Sequence, residues 1–96
     1  MSDFIEAAAS ELNDKMSGQE VGGSVKFAVE GAGSIMLDDS GARVGDDAAD
    51  VTFNADEDTF RQIFDGDMNP TAAFMSGKLT IDGDMGLAMK LAAVMA

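Results

Sequence analysis

Cysteine, histidine, tryptophan and tyrosine are absent from this 96-residue chain, and proline occurs once. Without Cys or His there is no disulfide scaffold, no ordinary structural zinc or iron–sulfur site, no thiol nucleophile, and no Ser-His-Asp or Cys-His catalytic machinery. Basic residues are also scarce, six against 18 acidic ones, for a formal charge of −12. Those six are scattered along the chain, so nothing resembles a surface that neutralises phosphates, and nucleic-acid binding is excluded. No stretch approaches the ~20 apolar residues of a membrane span. The opening Met-Ser-Asp-Phe-Ile-Glu lacks the basic and apolar regions of a secretory leader. A soluble, cytoplasmic protein is expected, with transient membrane contact at most and no cofactor. The acidity serves solubility or work in concentrated salt, and composition leaves both open.

What is present is an apolar fraction of 46% that includes six Phe, the composition of a folded protein. One domain over residues 1–96 is expected, because chains of about 100 residues bury a single modest core. Phe4, Ile5, Ala8, Ala9, Leu12 and Met16 recur at spacings of three and four, which predicts a helix over residues 3–16. Residues 24–30 alternate strictly, with Val25, Phe27 and Val29 on one face, and read as a half-buried strand. Gly31-Ala-Gly33 turns the chain into a second strand over residues 34–38, with Ile35 and Leu37 inward and Met36 outward.

A turn-rich acidic stretch follows, with a short strand at residues 42–44, then a strand at residues 50–54 that carries Val51 and Phe53. Asn54, with Glu57 three residues on, is the expected N-cap of a helix that carries Phe60, Ile63 and Phe64 and stops at Gly66. Asn69 and Pro70 open a second short helix that ends at Gly77. Residues 78–82 alternate as a last strand, and a final helix runs from Met85. The order gives an α+β fold: a mainly antiparallel sheet of about five strands, helices on one face, and Lys26, Glu30, Asp38, Lys78 and Asp82 on a solvated face.

Three constellations invite chemistry and lose it on inspection. Asp65, Asp67 and Asn69 have the 1, 3, 5 spacing of a calcium loop, but Pro70 stands where the sharp turn needs Gly and Ser76 where the bidentate Glu belongs. No metal is expected. Gly31-Ala-Gly33 is not a dinucleotide fingerprint, since Met36 replaces the third Gly and a strand follows where a helix is needed. A hydrolase or isomerase would need a buried carboxylate pair with perturbed pKa, and no spacing marks one.

The eight Met are more informative, above all Met68, Met75, Met85, Met89 and Met95 beside Phe60, Phe64, Phe74, Leu87 and Leu91. Thioether chains fill irregular core gaps, or line an apolar cavity that adapts to its contents. Both readings fit. The final helix is apolar nearly all round, interrupted by Gly86 and Lys90, so it must be buried on several sides, cover a cavity, or meet a partner.

The run Asn69-Pro-Thr-Ala-Ala-Phe-Met-Ser-Gly-Lys-Leu-Thr-Ile-Asp-Gly-Asp-Met-Gly-Leu-Ala-Met-Lys-Leu91 resembles the C-terminal signature of the sterol carrier protein type 2 family of lipid-binding domains. Ala49-Asp-Val-Thr-Phe53 and the Phe60-to-Gly66 helix resemble its middle portion. The resemblance implies an α+β fold enclosing an apolar tunnel for fatty acyl chains, acyl thioesters or sterols, with the C-terminal helix closing it. The expected function is non-enzymatic binding and transfer of lipid. Tunnel candidates are Phe60, Phe64, Phe74, Met75, Leu79, Ile81, Met85, Leu87, Met89, Leu91 and Met95, with Lys78 or Lys90 as partners for an anionic head. The rival is a protein-interaction module that uses an exposed C-terminal helix for dimerisation or docking, and monomer and weak dimer both stay open.

Overall fold

The computed structural model describes residues 3–16 and 20–95, and the side chains of residues 4–16 and 20–93. Helix α1 (Asp3–Lys15) is followed by strands β1 (Val25–Glu30), β2 (Gly33–Asp38), β3 (Gly41–Val44) and β4 (Val51–Asp56). Helices α2 (Glu57–Asp65) and α3 (Pro70–Met75), strand β5 (Thr80–Gly83) and helix α4 (Met85–Met95) complete the order. The sheet runs β3-β2-β1-β4-β5. Its pairs are antiparallel except β1 with β4, where Phe27 stands beside Phe53. The α+β expectation holds. Among the described residues no helix is long and apolar enough to cross a membrane.

Alternation decides the inner face. Val25, Phe27, Val29, Ile35, Leu37, Val51, Phe53 and Ala55 are buried in one cluster with the helices. Phe27 sits at its centre, with the rings of Phe53, Phe60 and Phe64 edge-on at 5.4, 5.9 and 5.9 Å. Such pairs add about 0.5–1.5 kcal/mol each beyond area burial. Ile5, Ala8, Ala9 and Leu12 form the buried stripe of α1, continued by Met16 just past its end, and Asn13 Oδ1 accepts the Ala42 N–H at 3.0 Å, fastening α1 to β3.

Three sequence expectations need correction. Met36 does not point into solvent, and it is only 3% exposed. Residues 45–50 must carry the chain from β3 past β2 and β1 to β4, about 14 Å sideways at normal strand spacing, and six residues reach at most about 20 Å. They therefore cross the outer face of the sheet with little slack. Gly45 lies so close that a Cβ there would stand 3.1 Å from Met36 Cγ, and Lys26 Nζ meets Asp46 at 3.0 Å beneath the same crossing. The solvated face is thus partly roofed.

The second correction is the cap of α2, which is Asp56 rather than Asn54, its Oδ1 accepting the Thr59 N–H at 2.8 Å. Ala55 keeps the inward alternation, so β4 continues two residues further. Third, β5 begins at Thr80 rather than 78, because the N–H groups of Lys78 and Leu79 both donate to Ala73 O and are taken up by the end of α3.

Candidate functional site

The candidate site is the end of the domain formed by α3, β5 and α4. Asn69 Oδ1 caps α3 through the Thr71 N–H at 2.8 Å, and Pro70 fits the first helical turn because it has no N–H to satisfy. Pro70 and Ala73 turn inward, while Phe74 is 36% and Met75 81% exposed. The return from α3 drives Leu79 into the core. β5 then runs close against the start of β4. Gly83 (φ +113°) pairs with Val51, and a side chain there would collide with Asp50 O and the Val51 backbone.

Asp84 Oδ1 accepts the Leu87 N–H at 3.1 Å and starts α4. Leu87, Ala88, Leu91 and Ala92 face the core, whereas Met85 and Met89, one turn apart, are 42% and 43% exposed. The tunnel candidates thus divide. Phe60, Leu79, Leu87 and Leu91 are buried, and Phe64 and Ile81 are half-buried against the same core. Phe74, Met75, Met85 and Met89 form the exposed apolar surface of α3 and α4, two helices in contact. Met95 lies outside the described side chains.

A wide hollow lies elsewhere. It opens at the C-terminal ends of β1 and β4, measures about 910 Å³, and is lined mainly by polar groups such as Ser34, Asn54, Asp56, Thr59 and Thr80. An apolar cleft between Phe64 and the Glu11–Leu12–Lys15 side of α1 holds only about 10 Å³, hardly the space of one water. The apolar candidates pack against one another and line neither space as a group. Sequence reading missed the polar hollow, although Ser34, Ala28, Asn54 and Thr80 fall in one cross-strand row that registration of the strands makes visible.

Electrostatics near the hollow are local. The Asp56 carboxyl is held below its usual range by the Thr59 backbone N–H first, then by the Thr59 hydroxyl, with Lys78 adding its charge. Lys78 therefore belongs to the neighbourhood of Asp56. Lys90 reaches towards the turn at Gly22, where a Cβ would stand 3.1 Å from its Nζ. Gly31 and Gly33, both at positive φ, form the β1–β2 hairpin, with the Ala32 N–H donating to Val29 O, and this is no phosphate loop.

Comparison with known proteins agrees with this architecture. A hydroxysteroid dehydrogenase-like protein 2 from Danio rerio is 58% identical over 48 residues, half of this chain and 12% of that protein. The chain thus spans a small part of the relative's length. The solution structure of the sterol carrier protein domain 2 of Helicoverpa armigera matches with a TM-score of 0.78 and 29% identity, covering 96% of this chain and 85% of that one. The Aedes aegypti sterol carrier protein-2 solved in complex with palmitate matches with a TM-score of 0.79 and 20% identity, covering 100% of this chain and 97% of that one. The model of the SCP-2 sterol transfer family matches residues 3–96. The chain belongs to that family.

Proposed function

We propose that this chain is a single non-catalytic domain that binds and transfers one long-chain or sterol-like lipid, taken up between the core and the α3–α4 pair. The observation that carries the reading is the placement of Phe74, Met75, Met85 and Met89 on the outside of the two helices, whose inner sides hold Pro70 and Ala73 in α3 and Leu87 and Leu91 in α4. A helix pair apolar on both sides can part from the core without exposing buried charge, and thioether chains repack around whatever enters. The palmitate complex of the Aedes aegypti protein supports an acyl chain as ligand. Dehydrogenase chemistry is not carried over from the longer relative, because the one Gly-x-Gly of this chain turns a hairpin.

The test is native mass spectrometry of the purified chain, then displacement of a fluorescent sixteen-carbon neutral lipid. One lipid per chain is expected. A folded protein that binds none at micromolar concentration refutes the carrier reading. The extreme exposure of Met75 favours, as second reading, a docking surface for another protein.

A further inference from the structure

Resting on the lipid-carrier reading for its consequence, we propose that Met75, Met85 and Met89 are oxygen-atom acceptors for hydroperoxides, and that their conversion to sulfoxides reversibly lowers lipid affinity without unfolding the domain. Cysteine, tryptophan, tyrosine and histidine are absent, so the readily oxidised atoms of this chain are the sulfurs of its eight Met. The fold sorts those sulfurs. Met16 is buried against the core, and Met36 is buried beneath the crossing at Gly45, where a Cβ would stand 3.1 Å from Met36 Cγ. Met68 is half-buried on the same core, and Met1 and Met95 lie outside the described side chains. Met75, Met85 and Met89 are exposed. Among the described residues five large apolar side chains are exposed, and three of them are these Met, all on the α3–α4 pair. Sulfur is thus concentrated in water at the end of the domain where lipid is taken up.

The transfer needs only an accessible thioether and a hydroperoxide, ROOH. A sulfur lone pair attacks the terminal peroxide oxygen, the O–O bond breaks as the S–O bond forms, and the proton on that oxygen passes through water to the departing RO⁻. Sulfur is oxidised by two electrons to the sulfoxide, and the hydroperoxide is reduced to the alcohol, or to water where R is hydrogen. In the packed domain the new S=O groups stay in water, and the core is untouched. Lipid uptake is different. Met85 stands three residues before buried Ala88 and Met89 three before buried Ala92, at the rim where the outer side of α4 meets the core. An acyl chain admitted between the core and the helix pair packs against that rim, and a sulfoxide there gives up its water for an apolar neighbour with no hydrogen bond in return.

The experiment exposes the chain to hydrogen peroxide, stops samples with catalase, and maps sulfoxides by peptide mass spectrometry. Met75, Met85 and Met89 should convert at least about tenfold faster than Met16 and Met36, which react only when the fold opens. The circular-dichroism melt of the product should stay within a few degrees of the untreated chain, while affinity for an NBD-labelled monoacylglycerol falls at least about fivefold. Methionine sulfoxide reductases of both stereospecificities, added together, should restore that affinity. A chain with Met75→Leu, Met85→Leu and Met89→Leu combined should bind the probe equally well before and after the same treatment. Four results overturn the proposal and leave the carrier reading standing: oxidation of Met16 and Met36 as fast as the three, unchanged affinity once the three are oxidised, a loss that tracks unfolding, or an equal loss in the triple variant. An untreated, folded chain that binds no probe instead defeats the carrier reading, and with it the consequence proposed for these sulfoxides.

Discussion

Leu91→Ala separates a gating helix from an ordinary piece of core. Leu91 is 2% exposed on α4, and its neighbours on the inward face are Leu87, Ala88 and Ala92, so among the described side chains it is one of two large anchors of that helix. Truncating a buried Leu to Ala costs about 2–4 kcal/mol where the surroundings relax only in part. If α4 opens as a unit of its own, that loss falls on its local opening equilibrium, and amide exchange over residues 85–93 should quicken by roughly 30- to 700-fold at 1.4 kcal/mol per decade. Strands β1 and β4 should respond far less under conditions where they exchange by other routes. Peptide-resolved hydrogen exchange by mass spectrometry reads both regions at once. Association with a neutral acyl probe should also accelerate, because a larger fraction of molecules is open at any moment. Equal acceleration in α4, β1 and β4 would show that α4 unfolds only with the whole domain, and the gating mechanism would be lost.

Other expectations follow from single contacts. Gly83→Ala should lower thermal stability by at least about 2 kcal/mol, or roughly 8–16 °C for a domain of this size, because the added carbon meets the backbone of Asp50 and Val51 at a positive φ; a circular-dichroism melt within a few degrees of wild type would contradict that contact. Asn13→Ala should cost about 1 kcal/mol, since the Ala42 N–H loses its acceptor, and urea unfolding with no shift in midpoint would show that water replaces it. Asp56 and Asp38 have carboxyls lowered from 3.8, so the stability they contribute is present above that pH and is lost as pH falls through the lowered folded values. Asp56→Asn keeps a side-chain oxygen acceptor and removes the charge, so its acid unfolding curve should lose part of the pH dependence below about pH 4 that wild type shows, and identical curves would discount the cap. Added NaCl should raise the melting temperature, because screening relieves self-repulsion at net charge −12.

Local rules made the inward rows of β1, β2 and β4 legible, because Val25, Phe27 and Val29 alternate with Lys26, Ala28 and Glu30, two of which are charged. The Asn69-Pro70 start of α3 was equally plain, since few other contexts favour that pair. Met36 was not, because its burial depends on a segment ten residues later that crosses above it, and no local period records a crossing. Asn54 and Asp56 are both competent caps, and only the inward demand of Ala55 selects the second. In α4 the difficulty is of another kind. Where nearly every position is apolar, periodicity carries no information, so Met85 and Met89 could not be told from Leu87 and Leu91. The candidate list held both the buried and the exposed members for that reason.

The division of labour between the two ends of the domain bears on how a carrier releases its load. The packed rings of Phe27, Phe53, Phe60 and Phe64 join β1, β4 and α2, whereas α3 and α4 contribute smaller or aliphatic side chains to the same core. An acyl chain gains about 0.8 kcal/mol per CH₂ on leaving water, yet it gains nearly the same in a bilayer, so the methylenes cancel when lipid passes between membrane and protein. What remains is the work of opening the packed α3–α4 end. If that work is near the value of one Leu anchor, about 2–4 kcal/mol, the equilibrium lies with the bilayer by roughly 30- to 700-fold, and the domain shuttles lipid between membranes instead of storing it. Vesicles that hold a radiolabelled neutral lipid, separated by sedimentation after incubation with the protein, measure this ratio directly. Quantitative stripping of lipid by equimolar protein would show that opening costs almost nothing, and that the packed arrangement of Leu79, Leu87 and Leu91 does not dominate in solution.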